Sequence, residues 1–174
     1  MNLTRRDWIL AAACWTEALR AQAGQRFAWF EPSMAAEIEA IAATIIPDDE
    51  TPGAGQAGVI RFIDQALAGY DADKRELYHR GLADTQMRRA ELFPGSTSIA
   101  SLAPDQRIRL LQAMEDSEFF RQVRFHTILG FLGHPMHGGN RGGAGWKLLG
   151  IDYAMHYEPP FGYYDAEQAP GDAK

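Results

Sequence analysis

Residues 59–70, VIRFIDQALAGY, carry the clearest structural signal in this chain of 174 residues. Apolar residues recur there at spacings of three and four, which places them on one face of an α-helix. Arg61, Asp64 and Gln65 fall outside that face. The pattern predicts an amphipathic helix from about residue 59 to 70, with the core-facing residues Val59, Phe62, Ile63, Ala66, Leu67 and Tyr70.

Another helix is predicted upstream, after an extended leader at residues 25–31. It begins after Ser33, a residue type that favours the N-cap position. It ends at Pro47, whose ring nitrogen has no hydrogen to donate. The following residues, 48–58, form a turn-rich loop. The apolar face of this helix consists of Met34, Ile38, Ile41 and Ile45.

Three more helices are predicted downstream. A polar helix runs from about residue 73 to 93, another starts near Pro104, a good first-turn residue, and the last spans about residues 117–131. No segment alternates between apolar and polar residues at period two, so we expect an all-α domain of about five helices. The apolar faces of the last two helices consist of Ile108, Leu111 and Met114, and of Phe119, Phe120, Val123, Thr127 and Phe131.

The C-terminal third has a different character. Residues 133–150 are dense in glycine, and residues 151–164 are rich in aromatics and prolines. Because this segment has too little periodicity for a helix of its own, we expect an irregular, ordered coat over the helices. We therefore divide the chain into an N-terminal segment, residues 1–23, a helical domain, residues 24–165, and a frayed tail, residues 166–174.

The N-terminus has the three parts of an export signal. The pair Arg5-Arg6 precedes an apolar stretch at residues 9–14, and Ala21-Gln22-Ala23 precedes Gly24. Paired arginines are typical of the twin-arginine route, which carries folded cargo to the periplasm. Glu17 and Arg20 interrupt the apolar part. The alternative is therefore a retained amphipathic helix on a cytoplasmic protein.

Composition excludes several classes of protein. The net charge is −6 and the isoelectric point is about 5.3, which argues against nucleic acid as a partner, because phosphates require a basic surface. Cys14 is the single cysteine, so an intrachain disulfide, a cysteine-ligated iron–sulfur cluster and a multi-cysteine zinc site are excluded. No run approaches the ~20 apolar residues of a transmembrane helix. We therefore expect no transmembrane segment in this chain.

The glycine-rich loop GGNRGGAGWK, residues 138–147, does not fit a nucleotide-binding motif. It lacks the spacing G-x-G-x-x-G after a strand, and Leu148 follows Lys147 where a P-loop needs serine or threonine. We expect the glycines to allow close backbone approach and positive φ angles. Arginine and tryptophan are enriched at interface hot spots. The loop is therefore predicted either to pack on its own domain or to form a protein–protein interface consisting of His137, Asn140, Arg141, Trp146 and Lys147.

Two groups of residues could carry chemistry. The histidines His126, His134, His137 and His156 raise the alternative of a stand-alone metal-dependent enzyme, although no H-E-x-x-H motif and no haem-attachment motif is present. We expect these histidines to serve as polar interface or core residues instead. The consecutive carboxylates at residues 48–50 rarely converge on one substrate, so we expect them to cap turns.

Two segments carry a family resemblance. The first signature segment, residues 46–64, starts with IPDDETPGA and ends with Phe62-Ile63-Asp64. The second signature segment, residues 119–150, contains FF at 119–120, HT at 126–127, GF at 130–131 and GGNRGGAGWK at 138–147. In this order, over about residues 34–150, they resemble the gluconate 2-dehydrogenase subunit 3 family. His137 departs from the pattern, since an aromatic residue is more frequent there.

The resemblance implies a helical small (gamma) subunit of an FAD-dependent sugar dehydrogenase. Such a subunit has no known catalytic residue and binds no cofactor itself. Its partner is a large flavoprotein of the glucose-methanol-choline oxidoreductase type that binds FAD, and electrons pass on to a c-type cytochrome with haem c. The small subunit stabilises the large one and assists its export, so the complex is expected in the periplasm, associated with the membrane through its partners. The alternative within this setting is a transient export chaperone that leaves the mature complex.

Overall fold

The computed structural model describes residues 26–151, and within this range the chain is all-α, as predicted. Three single-turn 3-10 segments, Ala72–Lys74, Pro135–His137 and Arg141–Gly143, connect helices. Predictions that concern residues 1–25 and 152–174, which include Arg5, Arg6 and His156, lie outside the described residues. The helices are α1 (Pro32–Ile45), α2 (Val59–Ala68), α3 (Arg75–Leu92), α4 (Pro104–Gln112), α5 (Glu118–Leu132) and α6 (Ala144–Leu148).

Helix α2 lies at the centre of the domain. Seven of its ten residues are buried, and it packs against α1 and α5. The predicted apolar face is confirmed with one exception, Tyr70. The helix ends at Ala68, because Gly69 turns the chain with φ −117° and ψ −108°. Tyr70 therefore leaves the helical register, and its side chain is 68% exposed.

Helix α1 begins earlier than predicted. Its first residue is Pro32, which suits a first turn because that position needs no backbone N–H donor. Ser33 consequently lies inside the helix and does not cap it. Ile38 and Ile41 are buried, whereas the other two predicted apolar residues pack at the edge of the core.

Helices α3 and α4 cover one side of the core. Helix α3 is polar, as predicted, and buries only Tyr78, Gly81 and Thr85. The prediction that Ile108 faces the core from α4 is wrong, because this side chain is 46% exposed. Leu110, which is buried, lies two residues and therefore about 200° further around the helix. The face that buries Leu110 turns Ile108 towards solvent.

Helix α5 begins and packs as predicted. The Ser117 hydroxyl accepts a hydrogen bond from the backbone N–H of Phe120 at 3.1 Å, which is the N-cap arrangement. The core-facing residues are Phe119, Val123, His126, Thr127, Gly130 and Phe131.

The prediction that the C-terminal third has no helix of its own is wrong. Residues Ala144–Leu148 form α6, which packs on the end of α5. Five residues cover little more than one turn, so α6 is too short to show helical periodicity. None of the helices within residues 26–151 is long and apolar enough to cross a membrane.

Candidate partner interface

The two signature segments meet at the start of α2. The backbone N–H of Arg141, in the second segment, donates to the carbonyl oxygen of Ala57, in the first, at 3.0 Å. The Arg141 side chain lies across Gly58, where a Cβ atom would come within 2.6 Å of Nε. Gly58 also has φ +68°, a conformation that glycine adopts at little cost. The glycine-rich loop is thus seated on the N-terminal end of α2.

The glycines of the loop allow backbone to approach backbone, as predicted. A Cβ atom on Gly139 would overlap the carbonyl oxygen of Gly130, and one on Gly145 would overlap the carbonyl oxygen of Phe131. Positive φ angles occur at Gly138, Gly142, Gly143 and Gly150. The loop therefore reaches α5 through its main chain, and its Arg141 and Lys147 side chains remain exposed.

Asn140 fixes the shape of the loop from inside. It has φ +47° and is the one non-glycine residue among those described with a positive φ angle. Its amide nitrogen donates to the carbonyl oxygen of Gly133 at 2.9 Å, and its amide oxygen accepts from the backbone N–H of Gly145 at 2.8 Å. Because Asn140 is fully buried, it holds the two ends of the loop together and does not itself offer a contact surface.

The predicted interface residues therefore occupy different environments. His137, Arg141 and Lys147 are exposed, Trp146 is half-buried and Asn140 is buried. The three exposed side chains are all basic or titratable; Arg141 and Lys147 project from the glycine-rich loop, and His137 directly precedes it. A partner can reach these side chains directly, and their role in an interface stays a prediction.

Trp146 connects α6 to α5. Its indole N–H donates to the carbonyl oxygen of Leu132 at 2.7 Å, one of the carbonyl groups that a helix C-terminus leaves without a helical partner. Its ring meets His134 edge-on at a centroid distance of 5.6 Å. Trp146 is thus a packing residue of the domain, with part of its ring still accessible.

The histidines of the possible metal cluster that the structure describes, His126, His134 and His137, lie in different environments. The buried His126 ring lies between the Tyr78 hydroxyl, 2.8 Å from Nδ1, and the Asp71 carboxylate, 2.8 Å from Nε2. Burial lowers the pKa of His126, against the opposing effect of its hydrogen bond to Asp71, and burial raises the pKa of Tyr78 well above its usual value. The neutral ring accepts from Tyr78 and donates to Asp71. Within residues 26–151 no three His, Cys, Asp or Glu side chains are placed to hold a metal ion.

Two of the three carboxylates after Pro47, Asp48 and Asp49, cap turns, as predicted. Asp48 accepts from the backbone N–H of Gly53 at 2.6 Å, and Asp49 accepts from the backbone N–H and the hydroxyl of Thr51 at 3.0 and 3.2 Å. The hydrogen bonds from Thr51 lower the pKa of Asp49. These side chains shape the loop of the first signature segment, and this is a structural role.

Sequence reasoning missed the role of Asp64. Its position outside the apolar stripe predicted exposure, yet its side chain is buried. Its two oxygens accept from the backbone N–H groups of Ala28, Trp29 and Phe30 at 2.6, 2.9 and 2.9 Å. Three successive amides around one carboxylate form an anion-binding arrangement. The only signal in the sequence was an acidic residue between the apolar residues Ile63 and Leu67 of the helix.

The same segment, residues 26–31, is held by side chains as well, and we call it the N-terminal strap. Arg61 donates to the carbonyl oxygen of Arg26 at 2.9 Å, and its guanidinium lies 4.1 Å from the centre of the Phe27 ring. Gly138 contacts the backbone of the same Arg61. Helix α2 thus carries the strap and the glycine-rich loop side by side.

Comparison with known proteins gave one family. A family model described as Gluconate 2-dehydrogenase subunit 3 matches residues 32–152, from the first residue of α1 to just beyond α6, which is more than half of the chain. The match contains both signature segments and confirms the resemblance. No curated protein and no solved structure matched the chain.

Proposed function

The chain belongs to the gluconate 2-dehydrogenase subunit 3 family, which marks it as a subunit of a dehydrogenase complex, and we propose that it is the non-catalytic small subunit of an FAD-dependent sugar dehydrogenase. The observation that carries this proposal is the seating of the second signature segment on the first. This contact holds the two segments of the family pattern together at the start of α2. The positions of the residues in these segments can be explained without a catalytic site.

The polar side chains of the signature segments support a structural role. Asp48, Asp64, His126 and Asn140 all bind groups of the domain itself. A catalytic acid or base must instead reach substrate within hydrogen-bonding distance. Three of these side chains are buried, and all four are already paired within the domain, which suits them to fixing the geometry of a loop.

The partner that we propose is a large flavoprotein of the glucose-methanol-choline oxidoreductase type. FAD would reside in that subunit, and electrons would pass from it to a c-type cytochrome that carries haem c. The small subunit would contribute contacts that stabilise the large one. Its exposed Arg141 and Lys147 could pair with carboxylates, Arg141 in a bidentate geometry.

Co-expression of the full chain with this flavoprotein tests the proposal. We expect the chain purified alone to show no flavin absorbance and no sugar-dependent dye reduction, and the flavoprotein to be soluble and active only when the chain is co-expressed. A flavin at near-unit occupancy in the chain alone would contradict the proposal. So would a flavoprotein that is equally stable and active without it.

We further propose that the Arg5-Arg6 pair exports the complex to the periplasm, with one signal serving both subunits. Replacing both arginines by lysine keeps the charge but should prevent recognition of the signal. Dehydrogenase activity should then be lost from the periplasm and appear in the cytoplasm. Periplasmic activity in the double-lysine variant would overturn the export role and leave the subunit role intact.

A further inference from the structure

The outer side of α5 is unusually apolar. Opposite the core-facing residues of this helix, Phe125 is 55% exposed and Leu129 is 37% exposed, and Ile128 and Leu132 are half-buried. A helix at the surface of a soluble domain normally presents polar residues on that side, and a helix that is apolar all round is normally covered. The C-terminal half of α5 therefore lacks a covering element within the described residues.

Helix α6 extends this apolar surface. Gly145 packs against Leu132 and the carbonyl group of Phe131, which brings α6 alongside the end of α5. Leu148 and Leu149, at the end of α6, are 50% and 56% exposed. We define the α5–α6 outer face as Phe125, Ile128, Leu129, Leu132, Leu148 and Leu149. Exposed apolar residues that are contiguous mark interaction sites more often than single ones do.

The segment that carries this face has a charge opposite to that of the chain. The net charge of the chain is −6, yet residues 119–151 contain no aspartate and no glutamate. The cations in that stretch are Arg121, Arg124, Arg141 and Lys147, and all four are exposed. Such a surface favours a partner whose apolar contact area is bordered by carboxylates.

A second copy of the chain does not satisfy this requirement. A symmetric dimer places the same patch of each copy against the other. Two copies joined through this face would bring two cationic segments together, and like charges at an interface disfavour association. The charge pattern therefore favours a different protein.

We propose that the α5–α6 outer face is the surface on which the large flavoprotein subunit docks, through an apolar area edged by carboxylates. This rests on the proposed function, and it extends the predicted interface from the glycine-rich loop to the side of α5. Lys147, next to Leu148 in α6, then lies at the rim, and Phe125 and Leu129 lie at the centre of the contact. Central apolar anchors carry most of the binding energy of an interface, whereas rim charges mainly tune the association rate.

The test compares exposed residues inside and outside the face, in the full chain co-expressed with the flavoprotein. Phe125→Glu and Leu129→Glu should each weaken the complex about 30-fold, the effect of losing a hot-spot residue. Met87→Glu, on α3 and 60% exposed, is the matched apolar control and should change affinity less than about threefold.

Lys147→Glu should slow association and reduce its salt dependence, whereas Arg88→Glu on α3 should have neither effect. Circular dichroism checks that each variant stays helical.

The outcomes separate this inference from the function on which it rests. If the wild-type chain binds no flavoprotein, the proposed function fails first. If the wild type binds but the Phe125 and Leu129 variants bind equally well, the docking face is wrong and the function stands. The inference is also overturned if these variants abolish only self-association or only binding to phosphatidylglycerol vesicles. The occupant of the face could instead be the chain's own residues 152–174, which carry five carboxylates. In that case a hydrophobic dye would bind the face only after these residues are deleted, and the affinity for the flavoprotein would not change.

Discussion

The core around α2 and the glycine-rich loop are built in opposite ways. Around α2, side chains such as Ile63 and Leu67 fill the space between helices and are completely buried. In the loop, the absence of side chains at Gly139 and Gly145 lets main chain pack on main chain. The first construction leaves little for a partner to contact, and the second pushes Arg141 and Lys147 outwards. The difference shows how one small domain supplies both a stable core and a presented surface.

Removing a core side chain should have the largest effect. Leu67→Ala deletes a fully buried side chain of α2 and should lower the free energy of unfolding by ~2–5 kcal/mol, because transfer and cavity costs add. Leu92→Ala, at a position that is 40% exposed, is the matched control. Denaturant unfolding measures both. Equal effects would show that the α2 side chain is not part of a close-packed core.

Adding a single methyl group to the loop should cost nearly as much. In Gly139→Ala the new Cβ meets the carbonyl group of Gly130, which cannot move without shifting α5, so we expect a loss of ~1–3 kcal/mol. In Gly142→Ala the new Cβ meets nothing within 4 Å. Only the strain of a positive φ angle remains there, at ~1–2 kcal/mol. If the Gly139 variant is no less stable than the Gly142 variant, the main-chain contact between the loop and α5 is looser than the structure has it.

The polar contact inside the core should make stability depend on pH. Burial lowers the pKa of His126 in the folded state below the 6.5 of a free histidine. Unfolding therefore takes up a proton as the pH falls below 6.5, and stability is full above that pH and declines below it. The slope from His126 is at most about 1.4 kcal/mol per pH unit and flattens below the folded-state pKa. The His126 ring contacts Tyr78 and Gln122. The charge of Lys74 adds to the effect of burial and lowers the pKa of His126, whereas Asp71 raises it.

Unfolding curves between pH 7.5 and 5 measure this slope. His126→Gln should be less stable at every pH but should lack the histidine contribution to the slope. His137→Gln, which replaces an exposed histidine, should keep it. An unchanged slope in the His126 variant would assign the pH dependence to other groups.

The smallest effect on stability is expected at Arg141. Arg141→Ala removes an exposed side chain but leaves its backbone hydrogen bond to Ala57, so the free energy of unfolding should change by less than about 0.5 kcal/mol. Co-purification with the flavoprotein should nevertheless fall, since this variant loses an exposed cation of the predicted interface. A variant that unfolds readily would instead give Arg141 a packing role over Gly58.

The sequence predicted the core better than the loop for a physical reason. Periodicity reports which side of a long helix is buried, and it placed α1, α2 and α5 correctly. It failed where the register ended, at Tyr70 beyond the turn at Gly69, and where α6 was too short to show it. The conformation of Asn140 depends on acceptor and donor groups at Gly133 and Gly145. Those partners are defined only once the loop has folded back on α5.

Asp64 is a second residue whose environment could not be predicted from local sequence. Helical spacing assigned it to solvent, and α2 alone gives no reason to bury a carboxylate. The reason lies 34 to 36 residues upstream, in three backbone amides that need acceptors. A buried backbone N–H that finds no partner costs free energy comparable to a lost hydrogen bond, and pairing across such a separation leaves no local pattern.

The clamp of Asp64 on the N-terminal strap also sets an order of events during synthesis. Ala28, Trp29 and Phe30 leave the ribosome before the carboxylate that binds their amides, by the length of α1 and the loop after it. The strap therefore remains undocked until α2 has emerged, whereas contacts within each helix form locally and early. Attachment of the strap therefore waits for the synthesis of α2, and a nascent chain that stalls before residue 64 cannot complete it.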